Sequence, residues 1–236
     1  MKVSVVIPMY NESAVIEQTA KRLSDFMSAS FEDYEIVFSD DGSTDGCADL
    51  VCALDLPCAR VVGCEQNHGK GFAVRSGVLA SVGDIVVFTD ADLAYGTEVI
   101  LRAVQAMASA PACGMLIGSR NLEENGYGGY GWLRRFLSRN YIRLLCLFGG
   151  FRLSDSQCGF KAFRREAADR IFSDAKVDGF AFDFEIILRA QKAEIVISEL
   201  PVRVLCHGHS NVRLLRDSTK MLADLYRIRR MVKKEK

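Results

Sequence analysis

Two carboxylates, Asp90 and Asp92, stand at i and i+2 directly after the apolar run Ile85 to Phe88. The run reads as a buried strand. Side chains alternate along a strand, so the two acids project to one side where strand gives way to loop. Adjacent anions are costly unless a cation lies between them. Oxygen ligands suit Mg²⁺ or Mn²⁺, which commonly bind one or two carboxylates together with substrate phosphates. The chemistry expected of Phe88-Thr89-Asp90-Ala91-Asp92 is thus a metal–diphosphate site; a strand cap followed by a helix N-cap is the alternative for the same residues.

The elements that would position these acids follow a regular rhythm. Val3 to Ile7 is a β-branched strand, and Ser13 is placed to cap a helix to Ala29. Strand Tyr34 to Ser39 is followed by the loop Asp40 to Gly46, where Ser43 or Thr44 is placed to cap a helix to Leu54. Strand Arg60 to Cys64, a helix opened by Gly69-Lys70-Gly71, strand Asp84 to Thr89 and a helix from Thr97 to Ser109 complete the series. Alternating strands and helices predict a parallel sheet with helices on both faces, and unbroken apolar strands predict burial on both faces. Ligands of open α/β sheets gather outside the carboxyl ends of the strands. There four loops converge, carrying Pro8 to Glu12, Asp40 to Ser43, Asn67 to Gly71 and Asp90 to Asp92.

Past Met115 the pattern changes. A strand, Met115 to Ile117, leads into Gly118-Ser119-Arg120; Asn125 to Gly131 reads as a Gly/Tyr-rich mobile loop. Trp132 to Phe148 reads as an amphipathic helix. Gln157 to Lys161 follows, then a helix from Arg165, another led by Phe180 to Glu185, a strand from Ile195 to Ser198, and a basic C-terminal helix with Met221, Leu222, Leu225, Ile228 and Val232 at helical spacing.

Composition narrows the classes. The chain has 236 residues, enough for one full core, with 49% hydrophobic and 25% charged residues. No apolar run approaches the roughly 20 residues of a membrane span, and the start of the chain does not resemble a signal peptide. The eight cysteines show no C-x-x-C pair or zinc spacing and are expected as mostly buried thiols in a reducing compartment. Net charge is zero but uneven. Between Tyr130 and Leu153 lie five arginines and no acid; between Arg213 and Lys236 lie nine basic residues and three acids. Two basic segments on a balanced body suit an anionic surface or ligand.

The ordered loops resemble those of the inverting family 2 glycosyltransferases. The matching residues are Val5 to Glu12, Asp40 to Gly46, Gly69-Lys70-Gly71 and Asp90-Ala91-Asp92. Gly118-Ser119-Arg120, Arg134 to Arg139 and Gln157 to Lys161 are similar to the polyprenyl-phosphate (dolichyl-phosphate) mannose and glucose synthases. Ser156 to Lys161, Phe182 to Glu185 and the stretch Arg216 to Arg229 resemble the glucosyl branch more. The resemblance implies an α/β fold of the GT-A (Rossmann-like) type, a mostly parallel sheet flanked by helices. It implies a single catalytic domain over 1–210, with a nucleotide half at 1–118 and an acceptor half at 119–210, and then a basic amphipathic helix at 211–236.

It also implies roles. Pro8, Tyr10, Glu12, Val37 and Asp40 would line the base and ribose, with Lys70, Ala91 and Arg120 completing the nucleotide-sugar site. Asp90, Asp92 and Gln157 would hold Mg²⁺ or Mn²⁺. Arg135, Ser138, Arg139, Arg203 and Ser210 would meet the acceptor phosphate, and Asp183 would join Asp90, Asp92 and Arg120 in catalysis. Simpler readings stand beside these: Lys70 as a solvated helix-start lysine, Asp183 and Glu185 as exposed helix positions, and Asp41, Asp45 and Ser43 as loop and cap formers. Cys158 reads as packing, and His207 and His209 as loop residues.

The implied reaction moves a hexose, with UDP-glucose favoured as donor, onto a polyprenyl phosphate. Mannose from GDP-mannose, a sugar hydroxyl as acceptor and a non-catalytic nucleotide-sugar-binding subunit are the alternatives. Gly208-His209-Ser210-Asn211 lacks the lysine that relatives carry, and Cys206 and His207 stand where the mannosyl branch has an arginine, which weakens the mannosyl reading. The expected setting is cytoplasmic, peripheral at the cytoplasmic face of a membrane. The two basic helices would touch the lipid surface, and a membrane-spanning partner subunit is possible; no nucleic acid is expected.

Overall fold

The computed structural model describes residues 1–205 and 218–234. One seven-stranded sheet runs through it, in the order β3-β2-β1-β4-β6-β5-β7. Its first strands are β1 (Val3–Met9), β2 (Tyr34–Asp41), β3 (Ala59–Cys64) and β4 (Ile85–Thr89); β5 (Cys113–Ser119), β6 (Phe160–Arg164) and β7 (Val196–Pro201) follow. Every residue of β1 and β4 is buried, as expected of parallel strands covered on both faces. β1 pairs in parallel with β2 and β4, β2 with β3, and β5 with β7. β6 alone runs antiparallel, between β4 and β5. No strand is expected here from the sequence, where Gln157 to Lys161 stands as a motif between two helices.

Among the described residues eight helices flank this sheet. They are α1 (Ile16–Ser30), α2 (Cys47–Ala53), α3 (Lys70–Ala80), α4 (Glu98–Ser109), α5 (Trp132–Gly149), α6 (Arg165–Phe172), α7 (Phe182–Lys192) and α8 (Ser218–Lys234). α3 lies across β1 and β2, and α8 packs on α7 and α5.

Two expected caps are absent. Val15, not Ser13, is the N-cap residue of α1, and no side chain caps it. Ser13 instead donates its N–H to Asp45 Oδ2 at 2.8 Å. Gly46, not Ser43 or Thr44, begins α2, with φ of 78° in the left-handed region that glycine enters without a Cβ penalty. Ser43 and Thr44 are used between loops instead. The stretch Asn125–Gly131 folds as successive turns, and Val204 N–H reaches Gly126 O at 2.9 Å.

α8 also departs from its expected role. Leu225, Ile228 and Val232 are buried against the body of the protein, so its apolar face belongs to the core. All seven cysteines among the described residues are free thiols, but they are not mostly buried as expected: Cys47, Cys113 and Cys158 are buried, whereas Cys52 and Cys58 are exposed. No described helix is long and apolar enough to cross a membrane.

Candidate active site

The carboxyl ends of β1, β2 and β4 open on one rim, and their loops are tied together. Asn11, in a left-handed conformation that Asn tolerates, accepts the Thr44 N–H on Oδ1 at 2.8 Å. Its own N–H goes to Ser43 Oγ at 2.9 Å. Asp40, at the end of β2, accepts the Ser43 hydroxyl. Asp41 is buried and draws in the loop before α3, accepting Asn67 Nδ2 at 2.9 Å, His68 N at 3.0 Å and Gly69 N at 2.6 Å. Asp41, Asp45 and Ser43 are thus loop formers in the structure.

This lacing fixes the start of α3, where Lys70 is the first helical residue. Lys70 Nζ meets Asp90 Oδ1 at 2.6 Å, so the lysine points into the rim. On its other side the Asp90 carboxylate rests against Gly159, where a Cβ would collide with Oδ2. Asp92 folds back to accept the Ala94 N–H at 3.0 Å. Ala91 is buried beneath the loop, and its carbonyl accepts the Thr19 hydroxyl at 2.5 Å.

Charge at this rim is unbalanced. Burial pushes the Asp92 carboxyl above the usual range, and neighbouring Asp90 adds to it. Glu12 is raised by burial and then by Asp92 and Asp90. Three carboxylates therefore share one field with Lys70 as the near cation. This surplus of oxygen anions fits a hard divalent ion. Among the described residues no group of three or more His, Cys, Asp or Glu side chains is arranged to hold a metal. Asp90 and Asp92 would need the neutral amide of Gln157 and oxygens from a ligand to complete the shell.

The opposite wall comes from the second half of the chain. Arg120, just past β5, is held by Asp155, with Nε at 2.6 Å and Nη2 at 2.9 Å. Asp155 is fully buried and also accepts the Arg120 N–H at 3.1 Å. The Tyr127 ring lies beneath both Arg120 and Arg139, at 5.1 and 6.0 Å from the guanidinium carbons. Arg139 Nε reaches Asn121 Oδ1 at 3.2 Å, and Arg135 Nε reaches the Tyr130 carbonyl at 2.7 Å.

A buried ion pair lies behind these residues. Lys161, on β6, is wholly buried; its ammonium meets Asp183 and the Cys158 carbonyl and lies 5.3 Å from the Phe88 ring centre. Burial pushes Asp183 up, and Lys161 and Lys70 offset part of the rise. Tyr141, on the inner side of α5, is pushed up to about 12 by burial and by Asp183. These couplings link β6, the start of α7 and α5 around the same rim.

Other expected residues fall elsewhere. Val37 lies inside β2, wholly buried, so its side chain is core rather than ribose contact. Pro8 is buried near the end of β1, and Tyr10 just beyond it is exposed. Glu185 is neither exposed nor at the rim: it is buried, pairs with Arg189 at 2.9 Å and accepts the Val177 N–H at 2.7 Å. Ser138 faces partly inward on α5 and Arg203 is exposed. Ser210, with Cys206, His207, His209 and Arg213, lies outside the described residues. Sequence reasoning missed Asp155, Tyr127 and Tyr141, and quoted Lys161 without its partner. The one visible signal was Lys161 set in the apolar run Phe160 to Phe163.

The profile of "Glycosyl transferase family 2" matches residues 4–172. The chain belongs to that family. It is 34% identical over 250 residues to a dolichyl-phosphate beta-glucosyltransferase of Saccharomyces cerevisiae, covering 96% of this chain and 73% of the relative. It is 33% identical over 242 residues to the Dictyostelium discoideum protein of that name, covering 96% and 73%. This family 2 hexosyltransferase therefore sits with the glucosyl branch, as the motifs near Gln157 implied. The fold is matched by glucosyl-3-phosphoglycerate synthase from Mycobacterium tuberculosis in complex with Mn²⁺, UDP-glucose and phosphoglyceric acid. The TM-score is 0.71 at 22% identity, covering 97% of this chain and 79% of that one. The GT-A architecture and the mostly parallel sheet expected from sequence are present.

Proposed function

We propose that this family 2 enzyme transfers glucose from UDP-glucose to a polyprenyl (dolichyl-type) phosphate, with inversion, at the cytoplasmic face of a membrane. The observation that carries the reading is Asp90, just past the end of β4, set between the Lys70 ammonium and Gly159. The names of the relatives support the acceptor class.

Pro8, Tyr10, Glu12 and Asp40 would take the base and ribose, the ring of Tyr10 offering a stacking face and the carboxylates accepting N–H or O–H donors. Asp90, Asp92 and Gln157 would hold Mg²⁺ or Mn²⁺, whose contribution when bound is to neutralise charge growing on the leaving diphosphate. Lys70 and Arg120 add fixed positive charge there, which favours the transition state over the ground state. One carboxylate oxygen of Asp183 faces Lys161, leaving the other for a hydroxyl of the donor sugar. A phosphate acceptor is ionised near neutral pH and needs positioning rather than a base. Arg135, Ser138, Arg139 and Arg203 would place it, with Ser210 as the remaining candidate. Its oxygen bonds to the anomeric carbon as the bond from that carbon to the diphosphate breaks, releasing UDP.

The test is purified protein with Mn²⁺ or Mg²⁺, a panel of labelled UDP- and GDP-sugars and a polyprenyl phosphate. Label from UDP-glucose in the organic phase, lost in Asp92→Ala, is the expected result. Label from GDP-mannose would overturn the donor. UDP-glucose binding without lipid product would overturn the acceptor.

A further inference from the structure

The turns between Arg120 and α5 bring one aromatic ring against two cations. Gly126 lies so close to the Arg120 carbonyl that a Cβ there would collide with it, and the Val204 N–H holds the Gly126 carbonyl at 2.9 Å. The next residue, Tyr127, is turned inward by this and is only 4% exposed, although it belongs to a connecting loop. Its ring centre lies 5.1 Å from the Arg120 guanidinium carbon and 6.0 Å from that of Arg139, on α5. Tyr130 packs beside it, with the ring centres 6.4 Å apart. An aromatic face attracts a guanidinium at such distances.

The two arginines are not held alike. Arg120 is fixed by two bonds to the buried Asp155 carboxylate and keeps its place without the ring. Arg139 is exposed, and among the described residues its one hydrogen-bond partner is the neutral amide of Asn121, with Nε 3.2 Å from Oδ1. A long side chain with one such bond keeps much of its rotamer freedom, and the ring is the second contact that narrows it. The Tyr127 hydroxyl adds nothing to this. It is buried with no partner among the described residues, and such a group costs stability. The ring, not the hydroxyl, is what this position supplies.

We propose that Tyr127 is a positioning residue for the transfer. Its ring holds the Arg139 guanidinium in the site that Arg120 serves, so that an acceptor phosphate taken by Arg139 arrives beside the donor diphosphate. Both cations are then in place before either anion binds, and no reorganisation is needed at the reacting step. The proposal rests on the phosphate-acceptor reading for its purpose, but the geometry it claims can be measured without an acceptor.

The test compares the parent with Tyr127→Phe, Tyr127→Leu, Arg139→Ala and the double variant Tyr127→Leu/Arg139→Ala. Transfer from UDP-glucose is followed at varied polyprenyl phosphate. Tyr127→Leu should raise the acceptor KM about fivefold, the size of one cation–π contact, and leave the UDP-glucose KM near that of the parent. Tyr127→Phe should keep the parent's acceptor KM and unfolding midpoint. The double variant should behave as Arg139→Ala alone, because the ring acts through that guanidinium. Additive losses in the double variant would mean that Tyr127 serves the fold in general, and a loss in Tyr127→Phe would assign the position to its hydroxyl; either result overturns the proposal.

Proton NMR of the full chain supplies the acceptor-free readout. The Arg139 δ-protons, identified by their disappearance in Arg139→Ala, should be shifted upfield by the ring in the parent and in Tyr127→Phe, and return to ordinary arginine positions in Tyr127→Leu. Ordinary positions in the parent would overturn the proposal, whether or not Tyr127→Leu folds. The two readings fail separately. An upfield Arg139 signal in a protein that makes no lipid product removes the acceptor and leaves the role of the ring standing.

Discussion

Asp155 grips the Arg120 guanidinium at two points, accepting Nε on Oδ2 at 2.6 Å and Nη2 on Oδ1 at 2.9 Å. Asp155 is wholly buried, and its neighbour Ser154 is fixed in turn by Glu199 from β7, which accepts the Ser154 N–H at 2.9 Å and hydroxyl at 2.6 Å. A planar fork held this way has lost its rotamer freedom before any ligand arrives. Arg120 can then meet developing charge without reorganising, which is where fixed donors have their largest effect.

Asp155→Asn should therefore lower kcat by about a hundredfold, the size of losing one fixed donor at a charged transition state. Stability should fall by up to about 3 kcal/mol, because a buried guanidinium loses its counter-charge. Steady-state transfer rates and thermal unfolding measure the two effects separately. An unchanged kcat in a folded Asp155→Asn protein would remove Arg120 from the site.

The Lys161–Asp183 pair gives a second test. Lys161→Met leaves a carboxylate buried among apolar atoms, which costs roughly 3–5 kcal/mol when one partner of a buried pair is removed. The remaining Asp183 would be raised further, so the folded state would hold its proton more tightly than the unfolded chain. The single variant should then grow more stable as pH falls from neutrality, the sign opposite to that of a salt-bridged acid. Lys161→Met with Asp183→Leu should recover most of the lost stability and none of the activity. Denaturant unfolding at two pH values and the transfer assay check all three statements. Recovery of activity in the double variant would show that Asp183 serves the fold alone.

Much of this was legible in the chain and some was not, for physical reasons. The parallel strands announce themselves because burial on both faces demands unbroken apolar runs such as Val3–Ile7 and Ile85–Phe88. The rim loops are legible because the topology forces their convergence. β6 is hidden because it is short, carries Lys161 at its centre and pairs with strands far away in sequence. The pairs Arg120–Asp155 and Lys161–Asp183 join residues 35 and 22 positions apart, and no local spacing encodes them. Ser13 and Ser43 look like helix caps by type, yet their N–H and hydroxyl groups are taken by Asp45 and Asp40 across the loops. The apolar stripe of α8 is visible in sequence, but not whether lipid or α7 covers it.

Acid sensitivity should arise in part at the far end of the sheet. Burial alone would raise Glu35, but the Ser4 hydroxyl, the Val82 N–H and Arg60 outweigh it and hold the carboxyl below its usual range. Ser4 Oγ and Val82 N each lie 2.6 Å from Oε1, and Arg60 Nη2 lies 3.2 Å from Oε2. A folded-state value below the unfolded one adds stability above the unfolded value. That stability is lost as pH falls through the folded value. Glu35→Gln should accordingly be less stable than the parent at neutral pH, with the gap closing below the usual carboxylate range. Thermal unfolding from neutral to acid pH would show this convergence, and parallel curves would refute it.

The last prediction concerns Gly159, which faces the Asp90 carboxylate. A Cβ at this position would overlap Asp90 Oδ2 and press on the carboxylate carbon, with no other heavy atom as close. The obstacle is the mobile end of a side chain, not backbone, so the fold can yield by turning that carboxylate away. Its position cannot survive, because Lys70 holds Oδ1 at 2.6 Å on the other side. Gly159→Ala should leave the unfolding midpoint within a few degrees of the parent, as expected for a change of under about 1 kcal/mol. Activity should fall by about a hundredfold or more, since a misplacement near 1 Å carries that cost. Mn²⁺ binding with UDP present, followed by electron paramagnetic resonance, should weaken in step. Normal Mn²⁺ affinity and normal turnover in Gly159→Ala would mean that Asp90 is not held where the chemistry needs it, and that Asp92 and Gln157 suffice.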